Sequence, residues 1–374
     1  MCSGFLSMKA YVLSLSVFLS VSFSAQAADD LSALGEVLFF DANLSKNRTQ
    51  ACASCHAPDK AFSDPRGTPS STGDDGVSVG SRNAPALTYA TKTAPFHLEQ
   101  NGHYAGGFFL DGRAETLAEQ AGGPPLNPVE MGMPSKVAVV QRLKENSFYV
   151  RQFETLGGKG ILNSPDKAFS LMTKSLEAFQ ESGRFSTFDS KYDRHLRGEY
   201  TMTPQEELGM TLFFSDQFTN CHHCHKLNGM PNTEGETFSN YQFHNIGVPA
   251  NTELGLTAAD VGLLNHPKIK DDAQKGKFKT PSLRNVAVTD PYMHNGVFKD
   301  LRTVVLFYNK YNSKSQKSQI NPETKKQWDS PETEQNIAID LLEKGNALKA
   351  RRVDALVAFM KTLTDKRYEH LIAD

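Results

Sequence analysis

The sequence predicts a mainly α protein built from two related modules, and three observations carry that expectation. Helix-start signals and amphipathic patterns outnumber clean strand alternation along the 374 residues. The pattern L-G-x-x-L-F-F occurs twice, at Leu34–Phe40 and Leu208–Phe214, each with an apolar face suited to an amphipathic helix. Each copy is followed by a C-x-x-C-H motif, Cys52–His56 in the first case and Cys221–His225 in the second. At roughly 150 residues per domain, the length suits two domains, each with its own core. Hydrophobic residues at 39% and charged residues at 22% are ordinary globular values, which argues against disorder and against a polytopic membrane protein. With 40 basic and 42 acidic side chains the formal charge is −2, so nucleic acid is not an expected partner.

Along the chain, residues 1–27 read as an export signal. Met8-Lys9 is basic, Ala10–Phe23 is apolar, and Ala25-Gln26-Ala27 offers the small residues of a cleavage site. The apolar run is too short to span a bilayer comfortably, which disfavours a retained anchor. Cys2 precedes that run, which disfavours a lipoprotein. Cleavage near Ala27 leaves a mature chain working outside the cytoplasm. The first module is expected over 28–199 and the second over 200–374, with Gly198–Pro204 as the boundary. Thr203, Pro204 and Glu206 supply an N-cap, a first-turn proline and a capping-box acid for the helix that follows. Asp64–Arg82 reads as a long loop over the first module, and Asn312–Glu334 as a polar, exposed loop. Val353, Leu356, Val357, Met360 and Leu363 share one face of a C-terminal helix expected to pack back on the modules.

Removal of Cys2 leaves Cys52, Cys55, Cys221 and Cys224. Four cysteines in an exported protein would ordinarily suggest two disulfides. A four-cysteine zinc site or a redox dithiol would also use C-x-x-C pairs, yet neither explains a histidine directly after both. Covalent c-type haem does. Two thiols add to the porphyrin vinyl groups, and the next residue offers its imidazole to the iron. His56 and His225 are then iron ligands, and two haem c groups are the expected cofactors. His222 and His223 read as haem-edge or solvent residues.

The remaining motifs are Arg82-Asn-Ala-Pro85, Leu110-Asp-Gly-Arg113, Glu119-Gln-Ala121 leading to Pro128-Val-Glu-Met131, Phe243-His-Asn-Ile-Gly247, and Thr280-Pro-Ser-Leu-Arg-Asn285 leading to Pro291-Tyr-Met-His-Asn-Gly296. In this order around two haem motifs, over nearly all of the mature length, the chain resembles the bacterial dihaem cytochrome c peroxidase and MauG superfamily. The fold this implies is two cytochrome-c-like haem domains. The resemblance assigns hydrogen peroxide to the His56 haem and electron storage or relay to the second. It places Glu130 as the distal proton-transfer carboxylate, with Gln120 beside it.

Two features lean toward the MauG-like branch. The loop Gly76–Ser81 lacks the histidine that caps the peroxide haem in conventional members, and Pro124 stands where MauG-like members place a proline near the open iron. His97 and His103 are the nearest histidines that could reach in instead. Fourteen residues beyond His294, where conventional members carry a methionine ligand, stands Tyr308. A tyrosinate would favour oxidised iron at the second haem. Met293, Met230 and Tyr311 are its competitors. By the same resemblance Asn83, Thr289 and Pro291 match the protein ligands of a calcium ion between the haems.

One departure stands out. Leu110 occupies the position of an aromatic relay between the haems, Phe108 and Phe109 are its aromatic neighbours, and the sole tryptophan, Trp328, lies in the polar loop far along the chain. The expected function is a periplasmic dihaem oxidoreductase. It would reduce hydrogen peroxide and oxidise an external donor, such as a residue of a partner protein. The alternatives are a peroxidase fed by a small cytochrome or cupredoxin, and a dihaem electron carrier without peroxide chemistry.

Overall fold

In the computed structural model of the chain, residues 28–226 and 234–373 are described. The export signal over 1–27 and Met230 lie outside the described residues. The first module opens with helix α1 over 28–39, followed by the short α2 (Cys52–Cys55). Then come α3 (Leu117–Ala121), α4 (Gly123–Leu126), α5 (Lys136–Lys144), α6 (Ser147–Gly157) and α7 (Pro165–Gln180). After α8 (Lys191–Leu196) the chain continues with α9 (Pro204–Phe213), α10 (Leu301–Asn312), α11 (Ile339–Leu342) and α12 (Ala350–Lys361). Strands are confined to two-residue antiparallel ribbons. β1 (His97–Leu98) pairs with β2 (Tyr104–Ala105), and β3 (Phe243–His244) pairs with β4 (Phe278–Lys279), with Phe243 opposite Lys279.

The helix starts are chemically explicit. At α9, Thr203 Oγ1 accepts from Glu206 N at 3.3 Å while Glu206 Oε2 accepts from Thr203 N at 2.8 Å, closing the expected capping box. Ser135 caps α5 and Thr116 caps α3 from one side only, each hydroxyl accepting a backbone N–H of the first turn.

Two apolar cores form. The first gathers Leu34, Leu38 and Phe39 of α1 with Val140, Phe153, Met172 and Phe179. The second gathers Leu212 and Phe213 of α9 with Phe238, Leu356, Phe359 and Leu363. Tyr192 of α8 belongs to the second core although it precedes residue 200. In α12 the expected apolar face is buried at Val353, Leu356 and Met360. Beyond it, Tyr368 packs with Ala61 of the first module and donates its hydroxyl to the Pro58 carbonyl at 2.9 Å.

The repeated L-G-x-x-L-F-F pattern gains a physical meaning here. A Cβ at Gly35 would collide with the Ser175 carbonyl and crowd the Phe179 Cβ of α7 at 2.9 Å. A Cβ at Gly209 would collide with the Ala355 carbonyl and crowd the Phe359 Cβ of α12 at 2.7 Å. In both modules the glycine lets a second helix approach to backbone contact, and the adjoining Leu and Phe side chains fill the core on either side.

One buried polar cluster ties the junction together. Arg284, with a side chain 0% exposed, donates to Asp193 Oδ2 at 2.6 Å and Oδ1 at 2.9 Å. The rings of Tyr89, Phe188, Tyr192 and Phe238 surround its guanidinium. Next to it, Asn285 bonds Thr88 and Asp365, and Tyr89 donates to Asp365 at 2.5 Å. The Arg284 guanidinium and Ser190 hydroxyl hold the Asp193 carboxyl below the usual carboxylate range, outweighing its burial.

Two substitutions test these arrangements. Gly209→Ala should lower stability by about 1–3 kcal/mol through overpacking, read as a fall in thermal midpoint. Gly183→Ala, where a Cβ meets nothing within 4 Å, should leave it unchanged. Arg284→Met should cost about 3–5 kcal/mol at neutral pH by stranding a buried carboxylate. Asp193 has a lowered folded-state pKa, so the pair's stabilisation is present above the unfolded pKa of about 4 and lost as pH falls below it. The stability gap between wild type and Arg284→Met should therefore narrow on acidification below that value.

Candidate functional site: two histidine-faced cavities

The first module encloses a cavity of about 800 Å³ lined by Cys52, Cys55 and His56 on one side and by Gln120, Pro124, Asn127 and Glu130 on another. The single turn of α2 carries both cysteines, and His56 caps it with its N–H on the Cys52 carbonyl at 3.0 Å. The His56 Nδ1 lies 3.1 Å from the Phe62 carbonyl. A carbonyl only accepts, so Nδ1 carries the proton and Nε2 keeps its lone pair. Burial lowers the imidazole pKa and holds the ring neutral, the form that binds a metal.

Gln120, Pro124, Asn127 and Glu130 come from α3, α4 and the turn after them. Asn127 donates its amide to Glu130 Oε1 at 2.7 Å, and Glu130 N bonds the Asn127 carbonyl at 3.1 Å. Burial pushes the Glu130 carboxyl above its ordinary pKa, against the opposing pull of Asn127 and of the Arg113 guanidinium. Among the described residues, His56 is the only histidine lining this cavity. His97 and His103 are exposed and do not line it. Ser70–Thr72 and Gly80–Arg82, from the expected long loop, form part of its rim.

The second module repeats the arrangement on a smaller scale, around a cavity of about 350 Å³ lined by Cys221, Cys224 and His225. His225 Nδ1 sits 3.1 Å from the Phe238 carbonyl, and burial lowers the ring's pKa to about 4. Tyr308, on α10, lines this cavity, and burial together with the Cys224 and Cys221 thiols raises its phenol pKa. Tyr311 does not line it, and its hydroxyl is engaged with the Ile246 carbonyl at 2.9 Å. His294 lines the cavity with its Nε2 held by Glu332 at 2.9 Å and its ring stacked on Phe278. Met293 also lines it and is the remaining competitor of Tyr308.

Both cavities suit a large group with an apolar body and a polar edge. The four cysteines form no disulfide, and the two pairs open onto different cavities, so they do not assemble a four-sulfur site. Buried polar atoms facing the cavities lack protein partners, among them Ser70 Oγ and Gln180 Oε1 in the first and His244 Nε2, Asn220 Nδ2 and Thr333 Oγ1 in the second. Such atoms fit a site completed by a bound group. Two thiols and a neutral imidazole in each cavity match the donors of haem c.

A shared wall separates the cavities. Asn83, Leu110, Lys279 and Thr280–Ser282 line both. Asn83, Thr289 and Pro291 all border the second cavity, and the Asn83 side-chain amide donates to the Pro69 carbonyl at 3.3 Å.

Lys279 is a residue that sequence reasoning missed. Its ammonium donates to the Gly107 carbonyl and lies 5.8 Å from the Phe108 ring centre. Burial pushes its pKa down to about 7, with Asp111 opposing. Its only sequence signal was its place directly before Thr280. Trp328 lies in the expected polar loop but is half-buried there: its indole packs at 5.6 Å from Phe298 and 5.5 Å from Phe307 and donates Nε1–H to the Ser318 carbonyl at 2.9 Å. The polar residues around it folded over the apolar back of α10, which a hydropathy reading of the loop does not reveal.

Two helical modules, each with a cysteine-flanked imidazole facing a cavity, define a dihaem c-type protein. The chain belongs to the di-haem cytochrome c peroxidase and MauG family. The family profile described as di-haem cytochrome c peroxidase matches residues 29–201. The chain is 52% identical to the methylamine utilization protein MauG of Paracoccus denitrificans, covering 94% of this chain and 92% of that protein. It is 34% identical to the cytochrome c peroxidase Ccp of Escherichia coli over 71% of this chain, which spans half the length of that relative. The fold matches the crystal structure of the diheme peroxidase BthA from Burkholderia thailandensis with a TM-score of 0.79 at 31% identity, covering 92% of this chain and 88% of that one. The protein is therefore an oxidoreductase of the dihaem peroxidase type, with two haem c groups as the family's cofactors.

Proposed function

We propose that this protein is a periplasmic, MauG-like enzyme that reduces hydrogen peroxide at the His56 site and draws electrons from an external protein through the His225 site. The observation that carries this reading is the asymmetry of the two cavities. The first cavity is lined by His56, Glu130, Gln120 and Pro124 and, among the described residues, by no second histidine, whereas the second is lined by Tyr308.

When bound, the two haems would supply redox chemistry, with peroxide reduction in the first module and electron exchange in the second. The protein's own groups hold and tune them. Cys52, Cys55, Cys221 and Cys224 anchor them through thioether bonds, and His56 and His225 present Nε2. Asn127 holds Glu130 Oε1, which leaves Oε2 to carry a proton between the two oxygens of a peroxide. The Gln120 amide orients the peroxide, and Pro124 brings no ligating atom to that wall. Tyr308, which lines the second cavity, would hold the haem there through its hydroxyl oxygen. Asn83, Thr289 and Pro291 supply oxygen ligands to a calcium ion, in keeping with the preference of that hard cation.

Export with cleavage near Ala27 places the enzyme in the periplasm. Among the described residues no helix is long and apolar enough to cross a membrane. The similarity to a protein named for methylamine utilisation favours a donor in that process, a protein whose own residue is oxidised, over a small cytochrome.

Two variants test the assignments. Glu130→Gln should reduce peroxide turnover by about 100-fold or more while covalent haem content, read from absorbance, stays at two per chain. Undiminished turnover would remove Glu130 from the mechanism. Tyr308→Met should raise the midpoint potential of the second haem in a spectroelectrochemical titration, because thioether sulfur favours reduced iron more than tyrosinate does. An unchanged potential would transfer the ligand role to Met293.

A further inference from the structure

We propose that Asp216, His222 and His223 form a surface site for one divalent transition-metal ion of the zinc, copper or nickel class. The site lies on the turn between the two cysteines of the second C-x-x-C-H motif. Among the described residues this is the one group of three or more His, Cys, Asp or Glu side chains whose donor atoms converge in the way a metal requires.

The geometry is that of a preformed donor set. His222 Nε2 lies 3.2 Å and His223 Nε2 lies 2.9 Å from the same oxygen, Asp216 Oδ1, and all three donor atoms fall within 4.8 Å of one another. Nitrogen and oxygen donors placed about 2.0–2.1 Å from a tetrahedral zinc ion are about 3.3 Å apart. The two nitrogen–oxygen spacings fall within about half an ångström of what an ion needs.

Each donor is also aimed. The His222 side chain is only 11% exposed and its Nδ1 is buried, so Nε2 is the nitrogen it offers outward. The turn is pinned by its own backbone. His223 N donates to the Asn220 carbonyl at 3.1 Å, and the His223 carbonyl accepts from the Asn240 amide at 3.1 Å. Cys221 and Cys224 flank the pair, and their thioether bonds stiffen the turn further in the haem-loaded protein. Asp216 is 76% exposed, so the remaining coordination positions open to water.

A surface ion pair is the simpler account of a His next to an Asp, but it uses one imidazole. Here two rings, 4.6 Å apart, direct Nε2 at one carboxylate oxygen. Two imidazolium ions at that separation repel each other, whereas two neutral imidazoles with a carboxylate make an N,N,O donor set. Such a set suits zinc, copper and nickel and is a poor match for calcium or magnesium, which prefer oxygen alone. His223 also lines the second cavity, so an ion held here adds positive charge at its mouth.

The test is calorimetric titration of zinc chloride into the untagged, haem-loaded protein in buffer that holds excess calcium, so that the calcium site proposed at Asn83, Thr289 and Pro291 is already filled. One equivalent of zinc should bind saturably over that calcium background. Binding should weaken at least about tenfold in both Asp216→Asn and His223→Asn. Asp216 lies outside the attachment motif, so its variant keeps both haems, and haem absorbance checks this for each protein. The absence of saturable zinc binding in excess calcium, or zinc binding unaltered in both variants, would overturn the site. Because the readout is metal affinity, a failure here leaves the peroxide reading untouched, and a failure of that reading leaves this one standing.

Discussion

Arg284 is the group on which the arrangement of both cavities rests. Its guanidinium is fully buried, paired in two-pronged fashion with Asp193 and boxed by four aromatic rings. A charge this far from water is tolerable only when its partner and its orientation are both fixed. That demand fixes the segment just before it, because Thr280–Ser282 form part of the wall of each cavity. The next residue, Asn285, extends the constraint to Thr88 of the first module and to Asp365 near the C-terminus. Two modules with separate apolar cores are thus held in register by polar contacts at their junction.

Within each module the limiting requirement is close helix approach. Gly35 and Gly209 allow α1 to meet α7 and α9 to meet α12 at backbone distance, and each pairing positions the phenylalanines that back the cavity. The duplication extends to the second contact of each histidine. His56 and His225 both give Nδ1–H to a backbone carbonyl at 3.1 Å, from Phe62 and Phe238 respectively. Identical proximal sides mean that the difference between the cavities comes from the opposite walls. A carboxyl at Glu130 and a phenol at Tyr308, both with pKa raised by burial, ask different things of the groups around them.

The shared wall shows where this chain departs from its family's pattern. Leu110 sits between the cavities with Lys279, whose backbone N–H bonds the Leu110 carbonyl at 2.9 Å. An aliphatic side chain and a buried amine occupy the place where an aromatic relay was expected.

Much of the site was legible in the sequence because its chemistry is local. The C-x-x-C-H spacing, the capping box at Thr203–Glu206 and the two L-G-x-x-L-F-F helices depend on contacts within a few residues, and short-range rules read them correctly. The family resemblance supplied Gln120, Glu130 and Tyr308 as candidates, and the structure brings each to the expected cavity. The family resemblance preferred Tyr308 to Tyr311, but which of the two lines the second cavity was not readable in one dimension. It depends on which face of α10 turns inward and on a carbonyl at Ile246, far away in sequence, that occupies the Tyr311 hydroxyl. The setting of Lys279, the packing of Trp328 on Phe298 and Phe307, the clamp of Asn127 on Glu130 and the meeting of Asp216 with His222 and His223 were likewise decided by tertiary structure. The sequence by itself determined which atoms are available for bonding and their spacing along the chain. Only the fold decided which of them share a cavity, because burial and direction arise from contacts between segments that the chain brings together over tens to hundreds of residues.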